Sequence, residues 1–113
     1  MDFGAYGVRA VTIPFYATSS GAQVVYMMND AEIRLLFVGE QLQYDVICEV
    51  ADQCPTLKQV VIFDSSVVKK EGDTRSMYLD EFLKLGENGD FDAELKQRVA
   101  DANPQDLANI LYT

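Results

Sequence analysis

Two short apolar runs separated by an amphipathic segment constrain the fold of this chain most. The runs are IRLLFV at 33–38 and KQVVIFD at 58–64. Each is too short for a core helix, and each is more apolar than a strand with one wet face, so each predicts a strand covered on both faces. The segment 41–53 between them has helical periodicity and is followed by Pro55, which predicts a helix. This alternation favours an α/β fold with a parallel sheet flanked by helices and right-handed crossovers.

The predicted helix over 41–53 carries one apolar stripe. Its members recur about every four residues: Leu42, Val46 and Val50, extended by Ile47 and Cys54. We expect this stripe to face the sheet, because an amphipathic helix buries its apolar side.

Segments before the first run predict one strand and two helices. Residues 2–8 are typical of the last turns of a helix, and RAVTIPFY at 9–16 is rich in β-branched and aromatic residues, which predicts a strand. Ser20 and Gln23 have the spacing of a capping box, so a helix is expected to begin there and to run to about residue 30.

Segments after the second run predict a loop, two helices and a strand. Residues 64–76 show no periodicity and predict a surface loop. Ser76 is expected to cap a short helix that ends at a left-handed Gly86. A second helix is predicted by three apolar residues with helical spacing, Phe91, Leu95 and Val99. The run LANILY at 107–112 predicts the last strand.

Length and charge limit the possible functions. A chain of 113 residues fits one compact domain. The net charge of −9 argues against a nucleic-acid partner, because phosphate contacts need clustered Lys and Arg. The chain has no histidine, which excludes catalytic Ser-His-Asp and Cys-His arrangements within it. It has no apolar run long enough for a transmembrane segment and no secretory signal, so cytoplasmic residence is expected.

Cys48 and Cys54 do not have the spacing of a metal or redox motif. On a helix they would lie roughly 9 Å apart along the axis, beyond the reach of an undistorted disulfide. We therefore expect two free thiols and no metal site.

Asp64 suggests an alternative class, a receiver-like signalling domain. An acidic residue at the end of an apolar strand is where a receiver carries its phospho-acceptor. A receiver also needs an acidic pair after its first strand and a lysine after its last strand, and here those strands run into FYA at 15–17 and YT at 112–113. A standalone interaction module is a further alternative.

Several stretches, in this order, carry a resemblance to a known family. They are YGVRAVTIPFYATSS at 6–20, YMMNDA at 26–31, LKQVV at 57–61, FLKLG at 82–86 and DLANILYT at 106–113. Together they resemble the AMP-forming acyl-CoA synthetases of the adenylate-forming ligase superfamily, and most of all the long-chain fatty acid–CoA ligases. The resemblance covers essentially the whole chain.

The resemblance implies both a fold and a place within a larger enzyme. The chain would be a flavodoxin-like three-layer subdomain of the adenylate-forming fold, with residues 1–113 forming one subdomain fragment of the AMP-binding domain. In the family, the DLA-x-I-x-YT strand leads into the phosphate-binding loop Ser-Gly-Thr-Thr-Gly. The chain would therefore end just before this loop, and Thr113 is the one position that corresponds to its start.

The resemblance also implies the parent reaction. The parent would convert ATP, a fatty acid and CoA to acyl-CoA, AMP and pyrophosphate through an acyl-adenylate, with ATP, Mg and CoA as its cofactors and substrates. We expect no catalytic residue, metal or cofactor in the isolated 113 residues, which would act as a scaffold. Their partner would be the remainder of the adenylating domain, and surfaces that it leaves uncovered could produce a homo-oligomer of no physiological meaning.

Overall fold

The computed structural model describes residues 1–113, and the chain divides into two units. The terminal unit comprises Met1–Phe15 and Gly86–Thr113, and the central unit comprises Tyr16–Leu85. The helices, in chain order, are α1 Asp2–Gly7, α2 Gly21–Asp30, α3 Gln41–Val50, α4 Leu79–Glu87 and α5 Asp92–Ala100. The strands are β1 Leu35–Val38, β2 Gln59–Ile62 and β3 Ser76–Tyr78.

The central unit is built on a parallel sheet in the order β1-β2-β3. Leu36 of β1 lies opposite Val60 of β2, and Val60 lies opposite Ser76 of β3. Strand β2 therefore has a parallel neighbour on each side, which confirms the predicted α/β fold with a parallel sheet flanked by helices.

The core of the central unit surrounds β2. Val60, Val61 and Ile62 are essentially inaccessible to solvent. Buried side chains of α2 and α3 complete this core: Val24, Met27, Met28, Tyr44, Ile47 and Val50. Phe82 of α4 packs edge-on against Phe37 of β1, with ring centroids 5.6 Å apart.

The capping box at the start of α2 is confirmed. The Gln23 N–H donates to the Ser20 side-chain oxygen at 3.3 Å, and the Ser20 N–H donates to Gln23 Oε1 at 2.8 Å. Two backbone donors that the first helical turn leaves unpaired are thereby satisfied, so the sequence signal and the helix start agree.

The predicted stripe of α3 is partly wrong. Ile47, Val50 and Cys54 are buried as expected, but Leu42 is 61% exposed and Tyr44 is completely buried. The apolar stripe therefore begins at Tyr44, because Tyr44 satisfies its hydroxyl with polar groups of the 64–76 loop and can be buried without penalty.

The predicted boundaries around α4 are wrong at both ends. Ser76 belongs to β3, and α4 begins at Leu79, where the Glu81 carboxylate accepts the Tyr78 N–H at 2.8 Å. Residues 76–78 extend because β2 offers a free edge with which they can pair. At the other end, the helix continues through Gly86 to Glu87, and the left-handed glycine of this chain is Gly72.

The terminal unit lacks the two strands that the sequence predicts at 9–16 and 107–112. Thr12 and Asn109 form an isolated parallel bridge, and the flanking residues form no named strand. No side chain of this unit is buried. Residues suited to strands therefore remain mostly irregular here, because this unit has no further strands and no buried face to pair and cover them.

The structure also bears on the cysteines and on the possibility of a membrane-spanning helix. Cys48 and Cys54 are both free thiols, Cys54 being buried. None of the helices combines the length and the hydrophobicity that crossing a lipid bilayer requires.

The side of α3 that faces the core predicts different losses of unfolding free energy for two truncations on this helix. Ile47→Ala removes a side chain that is 2% exposed and should lower the free energy of unfolding by about 2–4 kcal/mol. Leu42→Ala, the matched control, should change it by less than about 0.5 kcal/mol because Leu42 faces solvent. Urea unfolding of both variants measures the difference, and a larger cost at Leu42 would contradict the observed phase.

Candidate functional site

The 106–113 segment is held in the terminal unit by two backbone hydrogen bonds around Thr12. The Thr12 N–H donates to the Ala108 carbonyl at 3.0 Å, and the Ile110 N–H donates to the Thr12 carbonyl at 3.0 Å. These bonds flank the parallel bridge between Thr12 and Asn109. They fix the path of the backbone that leads to Thr113.

Arg9 lies immediately before this contact, at the end of α1. Its N–H donates to the Tyr6 carbonyl at 3.0 Å, and the Ala10 N–H donates to the Ala5 carbonyl at 2.9 Å. This pair of bonds is the Schellman motif that closes many helices, in which the residue after the C-cap adopts a left-handed conformation. Arg9 has a φ of 60°, in the region that favours glycine. Nearby, Arg98 of α5 donates to the Val8 carbonyl at 3.2 Å.

The Arg9 side chain forms a bidentate ion pair with Asp106. Its Nε and one terminal nitrogen each donate to a different carboxylate oxygen at 2.9 Å. Asp106 Oδ2 also accepts the Asn103 N–H at 3.0 Å. The hydrogen bond from Arg9, followed by the one from Asn103, holds the pKa of Asp106 below its ordinary value, and Asp106 in turn raises the pKa of Arg9. Both groups are therefore charged at neutral pH.

Thr113, the predicted site residue, is exposed and lies at the end of this held segment. Its hydroxyl is a polar group of the kind that contacts phosphate, but phosphate-binding loops work by directing several successive backbone amides at one anion. Thr113 alone is therefore too small a donor set to constitute such a loop.

A second polar cluster lies in the central unit, where Tyr44 holds the 64–76 loop. The Tyr44 hydroxyl donates to Asp73 Oδ2 at 2.6 Å and accepts the Lys70 N–H at 2.8 Å. Asp73 Oδ1 accepts the N–H groups of Arg75 at 2.9 Å and Ser76 at 3.1 Å. These bonds fix the path of the loop into β3. Apart from an aromatic residue in α3, no sequence pattern indicates this connection.

The environment of this cluster shifts the pKa values of both Tyr44 and Asp73. Burial, and then the hydrogen bond to Asp73, raise the pKa of Tyr44 well above its ordinary value. Burial of Asp73 acts to raise its pKa, but hydrogen bonds from Ser76, Tyr44 and the Arg75 amide outweigh burial and hold it below the ordinary value. At neutral pH the cluster therefore contains a neutral phenol that donates to a carboxylate.

An open groove of about 320 Å³ lies beside the cluster. Acidic and basic side chains line it, including Asp52, Lys70 and Arg75, together with the uncharged polar residues Thr74 and Ser76. Such a mixed lining selects for no single ligand charge.

Asp64, the residue on which the alternative prediction depends, lies just after β2 and is engaged locally. Its Oδ1 accepts the Ser66 N–H at 2.8 Å and the Ser66 hydroxyl at 2.7 Å, which close a turn. These bonds, the hydroxyl's first, hold the pKa of Asp64 below its ordinary value. The carboxylate thus has a structural role at the strand end.

Comparison with known proteins connects this chain to one family along its whole length. A profile of the family described as AMP-binding enzyme matches residues 1–113. The long-chain-fatty-acid–CoA ligase FadD15 of Mycobacterium tuberculosis is 31% identical over 113 residues, which is all of this chain and 17% of that protein. The long chain acyl-CoA synthetase 4 of Arabidopsis thaliana is 31% identical over 118 residues, 96% of this chain and 16% of that protein.

A vertebrate relative is similar over the same extent. The long-chain-fatty-acid–CoA ligase ACSBG2 of Xenopus laevis is 26% identical over 112 residues, 99% of this chain and 15% of that protein. The chain therefore spans less than a fifth of the length of the curated relatives that it matches.

The Tyr44 cluster predicts a measurable stability cost and a pH dependence. Tyr44→Phe leaves the Asp73 carboxylate without one donor and the Lys70 amide without its acceptor, which should cost about 1–3 kcal/mol of unfolding free energy at neutral pH. Because the pKa of Asp73 is lowered by folding, its stabilising contribution is full above the ordinary value of 3.8 and is lost as the pH falls below it. The cost of the substitution should therefore shrink in the acid range.

Urea unfolding at neutral pH and at about pH 3 measures this dependence. Tyr16→Phe is the matched control, since Tyr16 is exposed and its loss should leave the unfolding free energy almost unchanged. Equal costs for Tyr44→Phe at both pH values would show that the hydrogen bond to ionised Asp73 does not stabilise the loop.

Proposed function

The chain belongs to the AMP-binding enzyme family, and we propose that the protein containing it is a long-chain fatty acid–CoA ligase. Such a ligase activates a fatty acid with ATP, releases pyrophosphate and transfers the acyl group from AMP to CoA. The observation that carries the proposal is the match, over 96–100% of this chain, to relatives named for this activity in a bacterium, a plant and an amphibian.

Within this ligase, the role proposed for residues 1–113 is that of a scaffold subdomain of the AMP-binding domain. Its final segment, held by Thr12 and by the Arg9–Asp106 pair, would set the direction in which the phosphate-binding loop follows Thr113. Functional loops are usually positioned by ordered backbone of this kind.

The residues of the chain do not by themselves fit a triphosphate with its magnesium ion. Thr113 offers one hydroxyl, and the nearby cation Arg9 is already engaged by Asp106. No three of the acidic or cysteine side chains lie close enough to share a metal ion. ATP, Mg and CoA are therefore proposed for the whole protein, and no chemical step is assigned to these residues.

The proposed partner of the chain is the remainder of the adenylating domain, and the exposed apolar side chains of the terminal unit support this. Leu95 and Val99 share one face of α5, Phe91 directly precedes the helix with the same spacing of four residues, and all three are exposed. Leu107 and Leu111, four residues apart in the final segment, are exposed as well. Apolar side chains grouped in this way usually face another protein surface.

The acidic charge is consistent with a protein that binds no nucleic acid, and cytoplasmic residence stays a prediction. No observation favours the receiver-like alternative, because Asp64 is occupied with Ser66. The standalone interaction module likewise has no specific observation in its favour.

The proposed activity is tested on the full protein encoded by the reading frame that contains this chain. With palmitate, ATP, Mg and CoA, it should release AMP and pyrophosphate in equal amounts and form palmitoyl-CoA. Acetate in place of palmitate is the matched control and should give much slower turnover. No pyrophosphate release with any long-chain fatty acid would contradict the proposal.

The scaffold role predicts that the isolated 113 residues neither bind nor turn over ATP. Isothermal titration with ATP and Mg should give no saturable heat, and the pyrophosphate assay should stay at background. Saturable ATP binding by the isolated chain would mean that a complete nucleotide site exists within it and would overturn the scaffold role.

The exposed face of α5 predicts self-association of the isolated chain. Light scattering should show a mass that rises with concentration, and the double variant Leu95→Lys/Val99→Lys should lower it because charges interrupt the apolar face. Lys96→Glu, an exposed change on the same helix, is the control. A strictly monomeric mass for the unmodified chain at high concentration would contradict this prediction.

A further inference from the structure

We propose that Arg9 is a positioning residue, whose ion pair with Asp106 aligns the 106–113 segment and thereby the phosphate loop that follows Thr113. This inference rests on the proposed ligase function, because the loop belongs to that function. Arg9 touches no substrate in this account and acts only through the backbone that it holds.

The backbone conformation of Arg9 is the first argument. Two residues other than glycine have a positive φ in this chain, Arg9 at 60° and Glu32 at 52°. Both occupy the left-handed position of a helix-closing Schellman motif, where glycine is the least strained residue. An arginine at such a position is strained, and strain of this kind is retained where the surrounding structure or a function requires the side chain.

The partner of Arg9 shows what its side chain does. Two parallel hydrogen bonds at 2.9 Å join it to Asp106, and a fork of this kind fixes relative orientation as well as distance. The pair joins residues 97 positions apart in the sequence. Glu32 forms no ion pair. The two left-handed residues therefore have the same backbone conformation, but only Arg9 makes a side-chain ion pair.

Asp106 transmits the contact to the final segment. It accepts the Asn103 N–H at 3.0 Å, which closes the turn that follows α5. Two residues further on, Ala108 accepts the Thr12 N–H, and Ile110 then donates to the Thr12 carbonyl. Thr12 follows Arg9 by three residues, so side-chain and backbone contacts together hold 106–110 against the same short stretch of chain.

The solvent exposure of the pair indicates that it orients the 106–113 segment more than it stabilises the fold. The two side chains are 38% and 34% exposed, and ion pairs that open to solvent contribute little to stability. A displacement of about 1 Å in a reacting group, in contrast, can reduce a rate by around a hundredfold. The pair should therefore matter more for the use of ATP than for folding.

The decisive variant is Arg9→Gly, because it removes the ion pair and relieves the backbone strain together. Asp106→Asn removes the pair from the other side, and Glu32→Gly relieves the same strain where no pair exists. If Arg9 serves only to close α1, glycine should be at least as good. If it positions the segment, the glycine variant should fold normally and use ATP poorly.

The first measurement is steady-state kinetics of these variants in the full ligase. We expect Arg9→Gly and Asp106→Asn to lower kcat/KM for ATP by about tenfold or more, with the KM for palmitate unchanged and Glu32→Gly at the unmodified level. Equal losses for ATP and palmitate, in proportion to lost folded protein, would indicate a merely structural role and overturn the proposal. An unchanged kcat/KM for ATP would overturn it as well.

The second measurement separates this inference from the ligase function. Amide hydrogen exchange in the 113-residue chain should show the Thr12 and Ile110 N–H groups protected, and both Arg9→Gly and Asp106→Asn should speed their exchange by about two- to fivefold, while Glu32→Gly should not. Unprotected amides in the unmodified chain, or no effect of the substitutions, would overturn the positioning role. An inactive unmodified protein in which the exchange effect is present would overturn the ligase function and leave the alignment of 106–113 by Arg9 supported.

Discussion

The structure of the central unit depends on the burial of one strand between two parallel neighbours. Strand β2 contributes Val60, Val61 and Ile62 to the core and is hydrogen-bonded on both edges. A parallel neighbour cannot be reached by a tight turn, so each edge requires a crossover. Helix α3 forms one of them, and the loop at 63–75 forms the other. The second crossover contains no helix. The hydrogen bond from Tyr44 of α3 to Asp73 instead holds this loop in place.

This dependence explains which parts of the fold could be predicted from sequence. Strands β1 and β2 were predictable because continuous apolar runs have few other structures open to them, and α2 was predictable because its capping box is local. Strand β3 was missed because its three residues, Ser76–Tyr78, have no pattern of their own and extend only because β2 offers an edge. The phase of α3 was misjudged at Leu42 because Tyr44 can be buried only when Asp73 and Lys70, distant in sequence, satisfy its hydroxyl.

In the terminal unit, by contrast, residues with a strand-forming pattern lack the neighbouring strands that would pair with them. The segments 9–16 and 107–112 have strand-forming residues, but they meet at one bridge between Thr12 and Asn109. Of the candidate site, the DLANILYT stretch was recognisable from sequence through the family that it resembles. The Arg9–Asp106 pair was not, since a left-handed arginine at the end of α1 breaks the local preference for glycine and no short-range rule identifies its partner. The pair thus lies where local preference and structure disagree, which is where functional constraints are expected.

The chain belongs to the AMP-binding enzyme family, and the scaffold role proposed for it assigns its exposed apolar side chains and its held final segment to contacts within a larger protein. The most direct test is a structure of the full protein bound to a non-hydrolysable ATP analogue and Mg. We expect the phosphates to accept hydrogen bonds from the backbone amides that directly follow Thr113, with Arg9 and Asp106 still paired and the apolar side chains Phe91, Leu95 and Val99 covered. A nucleotide bound away from Thr113, or a broken Arg9–Asp106 pair in that complex, would contradict it.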